Sequence, residues 1–294
     1  MSTKTLVDRS QQLRIRASRA ARYQPTLWRY GFNLWPTVNF RRNPPALTET
    51  QRQLVETMTR DGVVSFACHQ IAGLADLVDQ QRRETDELLA DWATRPEQSG
   101  HAEEKSYLDE LYGYRPRLDP SCSLARLAAA LAPLAMAYMR MDVQVRYYNV
   151  WWNHPSDGAA KNSQLWHRDR EDFHVVKAFV YLSDVGALNG PFRYVLGSQP
   201  EGRPTTEPAG TYESGIWRGR DEEVERAVGA HRMVDMLGAA GTVVLADTRG
   251  LHAGGKVVER DRLLATIMFT SKTSQTREQF GERPLQVPAL FARG

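Results

Sequence analysis

The chain has 294 residues, of which 41% are hydrophobic and 25% are charged, as is ordinary for a globular protein that buries its own core. Its two cysteines, Cys68 and Cys122, follow no metal-binding spacing, which argues against a disulfide scaffold and against a zinc module. Because there is no apolar run of about 18 residues and no secretory-signal pattern, we expect a cytoplasmic protein without a membrane segment.

The positive charge is concentrated at the N-terminus. Residues 1–45 carry nine Lys/Arg and one acid, whereas the remaining chain carries 29 bases and 34 acids. Such a basic arm fits nucleic acid, an acidic surface, an anionic substrate, a targeting peptide or, most simply, packing on the protein's own acidic body. The second half of the arm is rich in aromatic residues, which predicts that it packs on the body. No nucleic-acid module accompanies it, so we do not expect nucleic-acid binding.

Helices are predicted to come first in the chain. Thr48 and Gln51 form a capping-box pattern that begins a helix ending at Gly62, and "VVSFAC" follows as a strand. Further helices are predicted over about 71–93 and over 123–140, the latter kinked or divided by Pro133. The polar segment between these two helices, residues 94–121, is predicted to be a surface loop.

Beyond residue 140 the pattern is β-rich. Short apolar runs separated by Gly, Asn, Pro and Asp turns, without helices between them, indicate an antiparallel sandwich or barrel. A polar insertion over 200–235 with one helical stretch interrupts the runs. We therefore predict one mainly β domain over 46–294, with helices over 46–140 and a jelly-roll core over 141–275, preceded by the arm over 1–45.

Two histidines lie where a predicted strand meets a turn. His167 is followed by Asp169, and alternate residues of a strand project from one face, so the pair can bind one metal ion. His252 follows the apolar strand "GTVVLAD", where a jelly roll can return it beside the first pair. Two histidines and one carboxylate leave positions open on a bound Fe(II), as non-haem iron oxygenases require. Arg262 opens the strand "RLLATIMFTS", and an inward-facing arginine needs an anion such as a carboxylate.

The ordered motifs "WHRD", "VYLSDVGALNGPFRYVLGSQ", "HAGG" and "RLLATIMF" resemble the phytanoyl-CoA dioxygenase family of Fe(II)/2-oxoglutarate-dependent oxygenases. The resemblance covers roughly residues 48–275. It implies a double-stranded β-helix, a jelly roll of the cupin-like kind, with flanking N-terminal helices. It also implies that His167, Asp169 and His252 form the catalytic iron site and that Arg262 binds the distal carboxylate of 2-oxoglutarate.

The resemblance makes Asn149 and Gln164 further candidates for contact with the cosubstrate. The sequence departs from the family where "GSQ" replaces the usual "GSH" and where Gly254 replaces a common hydroxyl residue, so one hydrogen bond to the cosubstrate must come from elsewhere or be missing. Halogenating relatives lack the aspartate, so Asp169 argues against halogenation.

The implied activity consumes O2 and 2-oxoglutarate, releases succinate and CO2, and benefits from ascorbate in assays. We expect hydroxylation of an unactivated C–H bond in a small metabolite, such as a natural-product intermediate. Desaturation, epimerisation or ring formation with the same cofactors stay open, as do a metal enzyme that uses no 2-oxoglutarate, a non-catalytic jelly-roll binder and an oxygenase acting on nucleic acid.

Three further residues are candidates for substrate binding. On an alternating strand, Lys177 shares a face with Phe179 and Tyr181, so it points either into the cavity or onto the outer face of the sheet. Arg193 and Trp166 are weaker candidates, since each can equally belong to the surface or to the core. The sequence indicates neither the substrate nor the oligomeric state.

Overall fold

The computed structural model describes residues 21, 23–94, 107–111, 122–203, 208–213, 216–274 and 285–286. The first twenty residues of the basic arm lie outside these ranges. The helices are α1 (Leu34–Arg42), α2 (Glu49–Asp61), α3 (Leu74–Ala93), α4 (Ser123–Met139) and α5 (Asp221–Val228). None of the described helices is long and apolar enough to cross a membrane.

Helix α2 begins and ends as its sequence predicts. The Thr48 hydroxyl accepts a hydrogen bond from the Gln51 backbone N–H at 3.2 Å, and the Gln51 side chain accepts one from the Thr48 backbone N–H at 2.9 Å. The helix ends at Gly62, whose φ of 80° lies in the left-handed region that favours glycine. The sequence predicts that Pro133 either kinks or divides helix α4. The helix runs through Pro133 without a break, so it is not divided.

Twelve strands are described, and all their pairings are antiparallel. They are β1 (Val63–Ala67), β2 (Leu108–Glu110), β3 (Gln144–Asn153), β4 (Val176–Tyr181), β5 (Phe192–Val195), β6 (Thr211–Glu213), β7 (Ile216–Arg218), β8 (Met233–Met236), β9 (Thr242–Asp247), β10 (His252–Gly254), β11 (Arg262–Thr270) and β12 (Leu285–Gln286). The major sheet has the order β1-β9-β4-β11-β3-β12 with β2 also on β3, the minor sheet has the order β10-β5-β8, and β6 and β7 form a hairpin.

The major sheet packs on both faces. On β4, Ala178 and Val180 join the helical core that α4 supplies, whereas Tyr181 faces the minor sheet and packs with Phe192 and Tyr194. This alternation follows from the two-residue period of a strand. The mainly β fold with N-terminal helices is therefore confirmed, and it is the predicted double-stranded β-helix of two facing antiparallel sheets.

Several short strands lie where the sequence predicts none, and β2 and β8 are two of them. Leu108–Glu110 (β2), inside the predicted surface loop, pairs with the end of β3, and Met233–Met236 (β8) begins before the predicted end of the 200–235 insertion and pairs with β5. Both runs contain acidic residues and are only three or four residues long. Their local patterns are weak, and pairing with a longer neighbour makes them strands.

The aromatic half of the arm packs on the body, as predicted. Trp28 is fully buried and donates its indole N–H to Asp172 Oδ1 at 2.6 Å. The Arg29 guanidinium donates to the Met139 carbonyl at the end of α4. The arm therefore supports the segment that follows Asp169 in the chain.

Candidate metal centre and cavity

His167 and His252 lie side by side because their backbones pair. The N–H of His167 donates to the carbonyl of His252 at 2.9 Å, and the reverse bond measures 3.0 Å. The two rings lie with their centroids 4.2 Å apart. The fold thus joins two positions that are 85 residues apart in the sequence.

A backbone carbonyl orients each imidazole ring. Nδ1 of His167 lies 2.8 Å from the Leu165 carbonyl, and Nδ1 of His252 lies 3.0 Å from the Gly250 carbonyl. A carbonyl only accepts, so Nδ1 carries the proton in both rings and each Nε2 keeps its lone pair for a metal. Both rings are buried.

Asp169 completes the group. Its backbone N–H donates to the Thr248 carbonyl at 2.9 Å, and its Oδ2 lies 3.9 Å from His252 Nε2. One ligand atom from each of His167, Asp169 and His252 lies within 4.8 Å of the others. Two imidazole nitrogens and one carboxylate oxygen at this spacing suit a divalent iron with open positions. The donor set therefore fits the metal that the sequence predicts.

Burial and neighbouring charges place these groups in the protonation states that bind a metal. Burial lowers the pKa of His167 well below its ordinary value and lowers that of His252 to about 4, so both rings are neutral at pH 7. Burial is the largest single influence and raises the pKa of Asp169, but the Lys177 ammonium and the His252 and His167 rings together lower this pKa by more, so the carboxylate stays ionised. Lys177 Nζ lies 2.7 Å from Asp169 Oδ2.

The turn between β9 and β10 contacts Asp169 and His252. Its Thr248 carbonyl accepts from the Asp169 N–H, and its Gly250 carbonyl accepts from the His252 ring. Asp247, fully buried, fixes this turn. Its Oδ1 accepts from the Arg249 and Val175 backbone N–H groups, both at 3.1 Å. Its Oδ2 accepts from the Tyr138 hydroxyl at 2.8 Å and lies 2.6 Å from His174 Nδ1. The sequence analysis missed Asp247, although an acid at the end of an apolar strand is a signal that could have found it.

The group faces a cavity of about 540 Å3 between the two sheets. Its lining residues are Leu108, Glu110, Tyr147, Trp151, Asn153, Ser163, His167, Asp169, Glu171, Lys177, Phe179, Phe192, His252, Gly254, Arg262, Leu264, Thr266 and Met268. The volume suits a small molecule, and the walls combine aromatic rings with a few charged groups.

Arg262 lies at one end of this cavity. Its Nε and Nη2 donate to Asn153 Oδ1 at 3.2 and 2.9 Å, across the β11–β3 pair. Burial lowers its pKa to about 10, which leaves the guanidinium charged at neutral pH. Among the described residues, no carboxylate lies within ion-pair distance of it. A buried cation with a neutral amide as partner is prepared for an anionic ligand.

The other candidates for the cosubstrate site lie nearby. Asn149 is buried on β3, where its Nδ2 donates to Glu110 Oε2 at 3.2 Å. Gln164 accepts a hydrogen bond from the Lys161 backbone N–H and lines a small pocket of about 30 Å3 that Arg262 and Asn153 also line. Asn153 was missed by the sequence analysis, although it lies four residues beyond Asn149 on the same face of β3.

The substrate candidates separate into two groups. Lys177 lines the cavity beside Asp169, on the inner face of β4. Trp166 and Arg193 instead line a second cavity of about 730 Å3. There the Trp166 indole N–H donates to Asp221, and the Arg193 guanidinium lies over the Trp166 ring, 4.9 Å from its centroid.

Comparison with known proteins identifies a family to which most of the chain is similar. A model of the phytanoyl-CoA dioxygenase family matches residues 59–261. That range includes the metal-binding group and ends one residue before Arg262. No match is found among curated proteins.

Several solved structures share the fold. EctD from S. alaskensis, solved with 2-oxoglutarate and 5-hydroxyectoine, is 21% identical with a TM-score of 0.54, covering 86% of this chain and 87% of its own. The carbocyclase SnoK from nogalamycin biosynthesis is 17% identical with a TM-score of 0.55, covering 81% and 92%. The epimerase SnoN, solved with Fe3+, alpha-ketoglutarate and a nogalamycin compound, is 19% identical with a TM-score of 0.51, covering 79% and 90%.

Proposed function

The chain belongs to the phytanoyl-CoA dioxygenase family, and from this premise we propose that it hydroxylates an unactivated C–H bond of a small metabolite. It is a non-haem iron, 2-oxoglutarate-dependent dioxygenase. In the proposed reaction one oxygen atom of O2 enters the substrate and the other enters succinate, while the cosubstrate loses CO2. The observation that carries the proposal is the convergence of two imidazoles and one carboxylate in a cavity that also holds Arg262, a buried cation that forms no ion pair with any described residue.

In this proposal His167, Asp169 and His252 hold the iron through Nε2, a carboxylate oxygen and Nε2. When bound, Fe(II) and 2-oxoglutarate supply the activation of dioxygen. The protein's own groups orient the reactants. The carbonyls of Leu165 and Gly250 keep both rings in the metal-binding tautomer, and the aromatic walls of the cavity limit the access of water.

Arg262 binds the distal carboxylate of 2-oxoglutarate in this proposal, with Asn153 holding the guanidinium in place. The neighbouring pocket makes Gln164 a further contact for that end of the cosubstrate, while Asn149 supports the wall by its bond to Glu110. Lys177 is the substrate-binding candidate that lines the cavity. Trp166 and Arg193 lie outside it, so we give them a structural role at the second cavity.

Succinate production tests the proposal. The protein is incubated with Fe(II), ascorbate, 2-oxoglutarate and a panel of small metabolites, and labelled dioxygen is used with any active substrate. We expect substrate-dependent succinate and one labelled oxygen atom in the product. Product without the label would indicate desaturation, epimerisation or ring formation, and turnover without 2-oxoglutarate would contradict the proposal.

The expected partner is a small molecule, and nothing in the described structure indicates nucleic acid. We also propose a cytoplasmic location. Cys68 and Cys122 are free thiols, which is consistent with a reducing compartment. We further propose that residues 46–294 act as one oxygenase domain supported by the arm.

A further inference from the structure

Two cations line the cavity, Arg262 on β11 and Lys177 on the neighbouring strand β4. Arg262 is the first residue of β11, whereas Lys177 pairs with Met268, six residues further along β11. At about 3.3 Å per residue, these backbone positions lie about 20 Å apart along the sheet. The two cations therefore lie towards different ends of the cavity, and an acidic group held at Lys177 is separate from the distal carboxylate at Arg262.

Lys177 forms an ion pair with the oxygen that a metal would use. Its Nζ lies 2.7 Å from Asp169 Oδ2, and this same oxygen is the one 3.9 Å from His252 Nε2. A divalent ion bound to that oxygen would compete with the ammonium for it and repel it. Metal binding would therefore weaken the contact between Lys177 and Asp169.

When its contact with Asp169 is weakened, the Lys177 ammonium still lies inside the cavity. The side chain of Lys177 is only 18% exposed, and Phe179 lies on the same inner face of β4. A buried cation needs an anion close to it. Glu171 also lines the cavity and its charge raises the pKa of Lys177, but it lies beyond ion-pair distance of the ammonium, and its Oε2 accepts a hydrogen bond from the Arg170 backbone N–H at 2.7 Å.

We propose that Lys177 binds an acidic group of the primary substrate, such as a carboxylate, sulfonate or phosphate, after metal binding has weakened its contact with Asp169. This inference rests on the proposed function and narrows its substrate class to anions. It also predicts an order in which the metal binds before the substrate. The reacting C–H bond would lie close to the acidic group, because Lys177 lies beside the metal-binding oxygen.

The first test measures metal binding without turnover. Co(II) is titrated into metal-free wild type, Lys177→Met and the control Lys256→Met, whose ammonium donates to the Gly158 carbonyl and lines the second cavity, not the one with the metal group. We expect Lys177→Met to bind Co(II) at least about tenfold more tightly, because Asp169 loses its competing cation, and Lys256→Met to match wild type. Equal or weaker binding by Lys177→Met would overturn the competition between metal and ammonium.

The second test measures anion binding to the anaerobic Fe(II)·2-oxoglutarate protein through its charge-transfer absorption. The probes are acetate, methanesulfonate and methyl phosphate, with neutral acetamide as the matched control. We expect saturable changes with the anions only, at least about tenfold weaker in Lys177→Met. Glu171→Gln should bind them more tightly, since it removes a nearby like charge. An equal response to acetamide, unchanged anion binding in Lys177→Met or no response to any anion would contradict the inference.

The same experiment separates this inference from the proposed function. If wild type forms no charge-transfer complex with 2-oxoglutarate, the proposed function fails. If the complex forms normally and Lys177→Met binds the anions like wild type, only the inference fails. If Lys177→Met instead loses affinity for 2-oxoglutarate itself, Lys177 serves the cosubstrate and the assignment to the primary substrate is wrong.

Discussion

Two cavities lie on opposite sides of the short bridges formed by Trp166 and His167. Trp166 pairs with Gly219 and lines the larger cavity, of about 730 Å3, whereas His167 pairs with His252 and lines the smaller one, of about 540 Å3. In the larger cavity the Arg193 guanidinium donates to both Asp221 and Asp235. In the smaller one Arg262 has a neutral amide as its partner, and three metal-binding atoms converge.

The difference shows that charge pairing, and not volume, distinguishes the candidate site. Arg193 is neutralised by the protein itself, so it gains little from a ligand. The smaller cavity keeps a cation and three donor atoms directed at a common space, which a metal and an anionic cosubstrate would satisfy. Trp166 and His167 are adjacent residues of one extended segment, and they line different cavities because successive side chains point to opposite faces.

The largest expected effect comes from Asp169→Ala, with Asp221→Ala as the control in the larger cavity. Removing the carboxylate should weaken Co(II) binding by more than about 100-fold, beyond what loss of an outer hydrogen-bond partner costs. Succinate formation should fall to background. Calorimetric titration and a succinate assay measure both. Retention of tight metal binding by Asp169→Ala would remove this residue from the ligand set.

Replacement of Arg262 by glutamine should act on the cosubstrate alone. Loss of a charged hydrogen bond of about 1.5–3 kcal/mol should raise the KM for 2-oxoglutarate by roughly 10- to 100-fold, while Co(II) affinity stays near that of wild type. Arg193→Gln is the matched change in the larger cavity and should leave this KM unchanged. If Arg193→Gln raised it as strongly, the contrast between the two cavities would be lost.

Asp247→Asn should have an intermediate effect through the turn that holds two ligands. An amide accepts less well than a carboxylate from the four donors around it, so we expect roughly tenfold weaker Co(II) binding and an altered visible spectrum of the bound Co(II). Asp184→Asn, at an exposed acid that accepts from the Ala240 N–H, is the control. A purely structural role for Asp247 would lower Tm but leave the spectrum of the metal unchanged.

The smallest effect is expected at the support beneath the cavity. Trp28→Phe keeps an aromatic ring but removes the hydrogen bond to Asp172, which should lower stability by about 1 kcal/mol. The expected fall in Tm is about 2–4 °C. Trp35→Phe is the control, because Trp35 is 76% exposed. Equal Tm values for the two variants would show that the Trp28–Asp172 bond does not support the segment after Asp169.

Much of the candidate site could be predicted from local patterns. His167 and Asp169 share a strand face by spacing alone, whereas alternation on β4 left both orientations of Lys177 open. His252 was a candidate from its place after an apolar strand, and the resemblance to the family implied its ligand role and the role proposed for Arg262. The capping pattern at Thr48 and Gly62 gave the bounds of α2, since both signals act within one helical turn.

Contacts between distant segments could not be predicted in this way. The patterns around β2 and β8 are too short to predict strands, and they become strands only by pairing with β3 and β5. Trp166 and Arg193 lie in the larger cavity because distant elements supply their acidic partners. Asp221 comes from α5 and Asp235 comes from β8.

The sequence by itself determined the family and the mainly β fold, and it predicted the metal-binding residue types and an arginine for an acidic cosubstrate. These features depend on residue identity and on spacings within single strands and helices. Only the tertiary structure decided that Lys177 lies on the metal side of Asp169, that Asn153 holds Arg262 and that Trp166 and Arg193 belong to another cavity. Those outcomes depend on which strands pair and in what register, and long-range pairing brings together residues that no local pattern relates.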